Sequence, residues 1–244
     1  MTETIVPRAA RRRGRHKGAA WLGFFVLLLA FLLLASAVFL IVRGLVTRQR
    51  QKDLEAQVQE FLYPLMLQNP SPFDTAEGQQ QDALILSALW RIARAETDRL
   101  QRRPGTVTQY ETDEWGRWSL PISEVSAAYA ALFGTAQPYF HTIGDPGTAQ
   151  AYEYSLSRNC YYVPPGDEVR SAYVPVLGRV TREGGVITAQ VGYVRSDEPT
   201  PDRAEAADPT APSMEQAAYT QLYTITETDA GWVLTSVSNE QGEK

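Results

Sequence analysis

The chain has 244 residues, with 23 Lys and Arg against 28 Asp and Glu, a formal net charge of −5 and a single cysteine. One cysteine excludes an intrachain disulfide framework, and no His-x-x-x-His, Cys-x-x-Cys or Asp-x-Asp-x-Asp-Gly pattern is present to supply a zinc or EF-hand site. The charge is unevenly divided: residues 1–52 hold ten basic residues and one acid, and residues 53–244 hold thirteen and twenty-seven, which argues against nucleic acid as a partner.

The first element is apolar. Between Lys17 and Arg43 no residue is charged, and Trp21–Val42 reads WLGFFVLLLAFLLLASAVFLIV. A helix rising about 1.5 Å per residue covers the roughly 30 Å hydrocarbon core over such a stretch, so the sequence predicts a transmembrane helix over residues 19–42. A cleaved signal peptide is the competing reading, because Ala35–Ala37 resembles a cleavage site, but VFLIV follows at once and favours retention as a signal-anchor. Ahead of the span, residues 1–18 carry Arg8, Arg11, Arg12, Arg13, Arg15 and Lys17 against Glu3, more than the Arg43, Arg48, Arg50 and Lys52 that follow it. By the positive-inside rule these six residues are the topology signal, which keeps the tail cytoplasmic and puts the rest of the chain outside. The bilayer is thus the first expected partner. A nucleic-acid patch and a twin-arginine export signal are the weaker readings of RRRGR.

Residues 43–70 read as a juxtamembrane amphipathic helix, with Leu54, Val58, Phe61, Leu62 and Leu65 on one face. Pro64 predicts a break or kink near Leu62 or Tyr63. This helix either begins the folded domain or serves as a stalk that pairs with a second copy to form a homodimer.

Residues 71–240 are expected to form one extracytoplasmic domain. DALILSALWRIARA is apolar nearly all round at its start and predicts a buried central helix; its continuation to Arg103 leaves a local basic patch. PGTVTQYETDEWGRWSLP reads as a hairpin or paired extended segments, Ser123 as the N-cap of a short helix, and Gly134 as its terminator. From Ala151 the period becomes two. Six strands in three hairpins follow, flanking RN, EGG and DAG, and predict an antiparallel meander. A Pro-rich segment at about 196–213 reads as a disordered loop.

The expected class is therefore α+β, with two or three helices packed on a curved antiparallel sheet. In its order of elements the layout resembles the nuclear-transport-factor-like cone fold. With its short basic tail and single span it is also similar to extracytoplasmic scaffolds of secretion and conjugation machines, and to membrane-anchored regulators of Gram-positive bacteria. That resemblance implies a fold and leaves function to the site.

Reactive groups are sparse. His141 and Cys160 can in principle form a dyad, but Cys160 adjoins two tyrosines in a strand with nothing nearby to lower its pKa. Glu111, Asp113 and Glu114 cluster in a turn, where acids are ordinarily solvated, and Glu124, Glu153 and Asp167 sit in predicted caps, strand surfaces or turns. No catalytic, metal or cofactor residue is therefore assigned, and no cofactor is expected. The aromatics Trp115, Trp118, Tyr161 and Tyr162 are the candidates for a partner contact or a pocket mouth, against the alternative that they close the core. The reading is a membrane-tethered binding or scaffold protein whose partner is an envelope protein. A sensor with an internal pocket is the alternative, and a hydrolase comes third.

Overall fold

The computed structural model describes the backbone of residues 17–166, 171–195 and 212–240, with the side chains of residues 17–27, 30, 37, 38 and 41 outside that description. The topology residues Arg8, Arg11, Arg12, Arg13 and Arg15, the side chain of Lys17, Asp167, and nearly all of the segment expected to be disordered lie outside the described residues. The chain divides into two compact units, Met1–Asp53 and Leu54–Lys244.

Helix α1 is Lys17–Gln68. In the first unit its described large apolar side chains, Leu28 to Val46, stand 42–66% exposed. Among the described residues no helix is long and apolar enough to cross a membrane, and the expected span Trp21–Val42 falls partly outside them.

Within the second unit, Val58, Leu62, Leu65 and Met66 are at most 1% exposed, and Leu54 and Phe61 pack against the same core. The amphipathic face is thus occupied by the domain's own core. The helix also runs through Pro64 to Gln68, so of the predicted break or kink the break does not occur. A proline costs about 3 kcal/mol in a helix interior, whereas each large apolar side chain buried returns about 1.5–3 kcal/mol. Burial on both sides of Pro64 therefore outweighs the penalty. Ser87 Oγ donates to the Pro64 carbonyl at 3.2 Å, and the helix ends at Asn69, with φ 47°.

Helix α2 is Asp82–Arg102, and its stripe Leu84, Ile85, Ala88, Leu89 and Ala93 is buried as its composition predicted. Strand β1, Trp118–Pro121, leads directly into helix α3, Ile122–Phe133. Ser123 is therefore inside the first turn, and Pro121 holds the capping position at φ −58°, ψ 138°. The reason is tertiary: the Ile122 amide donates to Asn159 O at 3.1 Å, so a neighbouring turn satisfies the first free donor of a helix that starts earlier than a Ser123 cap allows. Gly134 ends α3 at φ 67° as expected.

All six predicted strands form: β2 Glu153–Ser155, β3 Cys160–Val163, β4 Tyr173–Glu183, β5 Val186–Arg195, β6 Tyr219–Thr228 and β7 Gly231–Asn239. They do not make one meander. The last four form an antiparallel sheet in the order β4-β5-β6-β7, while β2 and β3 join β1 in a separate sheet of order β1-β3-β2. Pro164 and Pro165 follow β3 immediately, and two residues without an N–H cannot extend a ladder toward the next strand. The expected hairpin or paired extended segments over 104–121 are reduced to a tight turn at Asp113–Arg117 and a single bridge, Thr112 to Trp118, while β1 pairs along its other edge with β3.

The inner face of the larger sheet carries Ile187, Ala189, Val191, Tyr193, Tyr223, Ile225, Leu234 and Val237, all at most 1% exposed in one core with the helices. Phe73 exchanges two backbone hydrogen bonds with Val237, 2.7 and 2.8 Å, and so covers part of the β7 edge. On the opposite face Met214 rests on Gly178 and Gly192. A Cβ at Gly192 would stand 2.7 Å from its sulfur, so this close seat requires glycine.

Candidate binding cleft

Helix α2 turns a second, more polar face toward α3. Arg91, Ile92, Ala95, Glu96 and Arg99 line it, and with Ala128 of α3 and the loop residues Gln109 and Tyr110 they border a cleft of about 380 Å³. Its apolar lining is Ile92, Ala95 and Ala128.

One wall is a fixed arginine. Glu96 is only 3% exposed, and a buried carboxylate is tolerated when its oxygens are paired. Arg99 supplies that pairing through Nε to Oε2 at 2.7 Å and Nη2 to Oε1 at 2.6 Å, and the Gln109 amide donates to Oε1 at 2.9 Å. Nη2 also donates to Val107 O at 2.9 Å. Nη1 is left without a bonded partner among the described residues. The guanidinium is thus clamped along one edge and free of protein partners on the other, with the side chain one-third exposed. Arg91, two turns away, makes no ion pair among the described residues. Tyr110, with its hydroxyl donating to Glu124 Oε2 at 2.7 Å, is pushed up to about 12 by burial and by that carboxylate. It stays a neutral phenol at the cleft wall.

The hydrogen bond from Arg99 holds the Glu96 carboxyl down at about 2, against burial that raises it. A depressed carboxyl stabilises the fold fully above its ordinary value of 4.5, and that contribution is lost as pH falls toward about 2. The expected result is that Glu96→Gln melts below the wild-type chain at neutral pH and that the gap narrows across that acid window. Thermal melts at intervals of pH check it; a constant gap would mean that Glu96 is not the titrating group.

The four predicted aromatics do not form one surface. Trp118 and Tyr161 are 5% and 0% exposed on the core side of the small sheet, where Trp118 lies beside Tyr110. Tyr161 is clasped by the His141 backbone, accepting from its N–H at 2.9 Å and donating to its carbonyl at 2.7 Å. Tyr162 points to the opposite face, as alternate strand residues do, with the Arg117 guanidinium 5.3 Å above its ring. Trp115 is half exposed at the tip of the turn.

The other reactive groups are also dispersed. His141 Nε2 lies 2.7 Å from Asp82 Oδ1 and Nδ1 lies 3.1 Å from Tyr139 O, while Cys160 is buried beside Tyr162. Cys160 and Tyr161 are adjacent in a strand and face opposite ways, so the cysteine points away from the side on which His141 sits. Of the turn acids, Asp113 is bound by Arg117; Glu153 also binds Arg117, and Glu124 accepts from Tyr110. Among the described residues no three metal-ligating side chains gather.

Glu96 and Arg117 were not singled out by sequence reasoning. A signal existed for Glu96, because it falls on the same helical stripe as Ile85, Leu89 and Ala93. None existed for Arg117, whose burial depends on residues more than thirty positions away. No protein-family model, curated protein or solved structure matches this chain.

Proposed function

We propose that this chain is a membrane-tethered binding or scaffold protein of a bacterial-type envelope. Trp21–Val42 is the anchor, the basic tail is cytoplasmic, and a cone-like α+β domain outside engages another envelope protein. The observation that carries the reading is the first unit's helix. Its described Leu, Phe and Val side chains between Leu28 and Val42 stand 42–66% exposed, ahead of the basic residues that begin at Arg43. An apolar surface of that extent is stable only against lipid or another protein. Tethering then raises the effective concentration of the domain toward partners at the same membrane.

Binding is favoured over an internal sensor pocket by the filling of the sheet's concave side. Tyr193 and Tyr223, both 0% exposed, occupy the space where a cone would hold a small molecule. The cleft beside α2 is instead on the outside of the domain.

The test has two parts. Full-length chain tagged at its C-terminus is expected to sediment with membranes, resist alkaline carbonate extraction, and be cut by protease added to spheroplasts. In-cell cross-linking is expected to capture an envelope protein that a chain ending at Lys52 does not. Release by carbonate removes the anchor; identical capture by both chains removes the binding role of the domain.

A further inference from the structure

We infer that the cleft between α2 and α3 binds an extended acidic segment of a protein partner, in which two carboxylates four residues apart flank an apolar side chain. The inference rests on the binding reading above and does not depend on the anchor.

The charge of the cleft is opposite to that of its surroundings. Residues 53–244 carry thirteen basic residues and twenty-seven acids, whereas the cleft lining carries Arg91 and Arg99 against Glu96, a net charge of +1 because Arg99 and Glu96 offset one another, with Glu124 engaged by Tyr110. Arg99 is orientated before anything binds, because two of its nitrogens are held by Glu96 and Val107. An arginine fixed this way offers its Nη1 edge to a carboxylate with little rotamer entropy left to lose.

The spacing selects the shape of the occupant. Arg91 and Arg99 are two turns apart, about 12 Å along the helix axis. One carboxylate cannot reach both. In an extended segment rising about 3.3 Å per residue, side chains at i and i+4 lie about 13 Å apart on the same side, and the side chain at i+2 projects between them. That middle position falls over Ile92, Ala95 and Ala128. The pattern is therefore acid, any residue, apolar, any residue, acid. The volume of about 380 Å³ lies within the range of ligand sites, and the cleft is open to solvent, as a passing peptide requires.

The test uses a fluorescein-labelled peptide, acetyl-Ser-Glu-Ser-Leu-Ser-Glu-Ser-amide, titrated by anisotropy against the purified full chain in detergent micelles at low salt. Saturable binding is expected, weakened about tenfold or more when both peptide glutamates become glutamine, since each loses a charge-assisted hydrogen bond. Arg91→Gln should weaken it similarly. Arg91 is exposed, so this variant keeps its fold, whereas Arg99→Gln strands a buried carboxylate and is not the variant to rely on. Ala128→Phe, which crowds the apolar lining, should abolish binding while circular dichroism stays unchanged. Equal binding by wild type, Arg91→Gln and Ala128→Phe overturns the inference. So does equal binding of the glutamine peptide, or binding of free succinate as tight as that of the peptide. Partner capture in cells that survives both substitutions places the partner surface elsewhere, overturning the cleft assignment while the anchored binding reading stands.

Discussion

Replacing Arg117 with methionine is expected to lower the unfolding free energy by about 3–5 kcal/mol, the cost of breaking a buried ion pair from one side. Arg117 is 3% exposed. Its Nε donates to Asp113 Oδ2 at 2.7 Å, Nη2 to Glu153 Oε2 at 3.1 Å, and Nη1 to the carbonyls of Thr148 and Ala151 at 3.2 and 3.3 Å. One side chain thereby ties the 113–117 turn, the loop before β2, and β2 itself, with Tyr162 of β3 under its face. Methionine fills the volume but returns none of these donors, so two carboxylates and two carbonyls lose a partner at once. Burial raises the Asp113 carboxyl, but the hydrogen bonds from Arg117 and the Trp115 amide outweigh it and hold the group below its ordinary value. Urea denaturation followed by circular dichroism measures the loss. Arg117→Lys should recover only part of it, because an ammonium cannot span the same fork of acceptors. A methionine variant within about 0.5 kcal/mol of wild type, the usual range for an unimportant surface change, would sink the role of Arg117 as the tie.

Tyr223→Phe should cost about 2–6 kcal/mol, because it leaves two buried groups unsatisfied at about 1–3 kcal/mol each. The Tyr193 and Tyr223 hydroxyls lie 2.5 Å apart with both residues fully buried. Tyr223 then donates to Gln221 Oε1 at 3.2 Å, and Gln221 Nε2 donates to Pro70 O at 3.1 Å. The chain of bonds runs from the middle of the sheet to the turn after α1, where Tyr219 also donates to Asn69 Oδ1 at 2.7 Å. Burial pushes both phenols well above their ordinary range, so the pair is neutral under any physiological condition. Removing one hydroxyl orphans the other and strips Gln221 Oε1 of its donor. Removing both, in Tyr193→Phe/Tyr223→Phe, leaves only the Gln221 oxygen exposed to that penalty. The double variant is therefore expected to be less destabilised than the sum of the single ones by about 1 kcal/mol or more. Strict additivity in the double-mutant cycle would mean that the two hydroxyls do not communicate.

Both groups illustrate what local patterning does not carry. Tyr193 and Tyr223 occupy inward positions of alternating strands, so their burial was legible, but the link from Gln221 to Pro70 joins residues 151 positions apart. The same limit governs the aromatics around β1 and β3. Trp118 and Tyr161 were open to reading as contacts or as core, and the pairing of Trp118 with Val163 and of Leu120 with Tyr161 puts them on the inward face. The cleft was visible in part. Arg91–Arg103 stood out as a basic patch in an acidic chain, while the burial of Glu96 and the orientation it imposes on Arg99 required the loop at Val107–Gln109 to fold back on α2.

The sequence by itself determined the α+β class, the core face of α2, the stop at Gly134 and the positions of all six strands after Ala151. These depend on periodicity and turn chemistry within about ten residues, which a chain carries wherever it folds. Tertiary structure alone decided that β2 and β3 leave the meander for β1, that α1 runs through Pro64, that Pro121 takes the capping position, and that Arg117 is buried. Each of those outcomes balances a local preference of a few kcal/mol against burial or hydrogen bonds supplied by distant segments. Such a balance is struck only when the partners are in place.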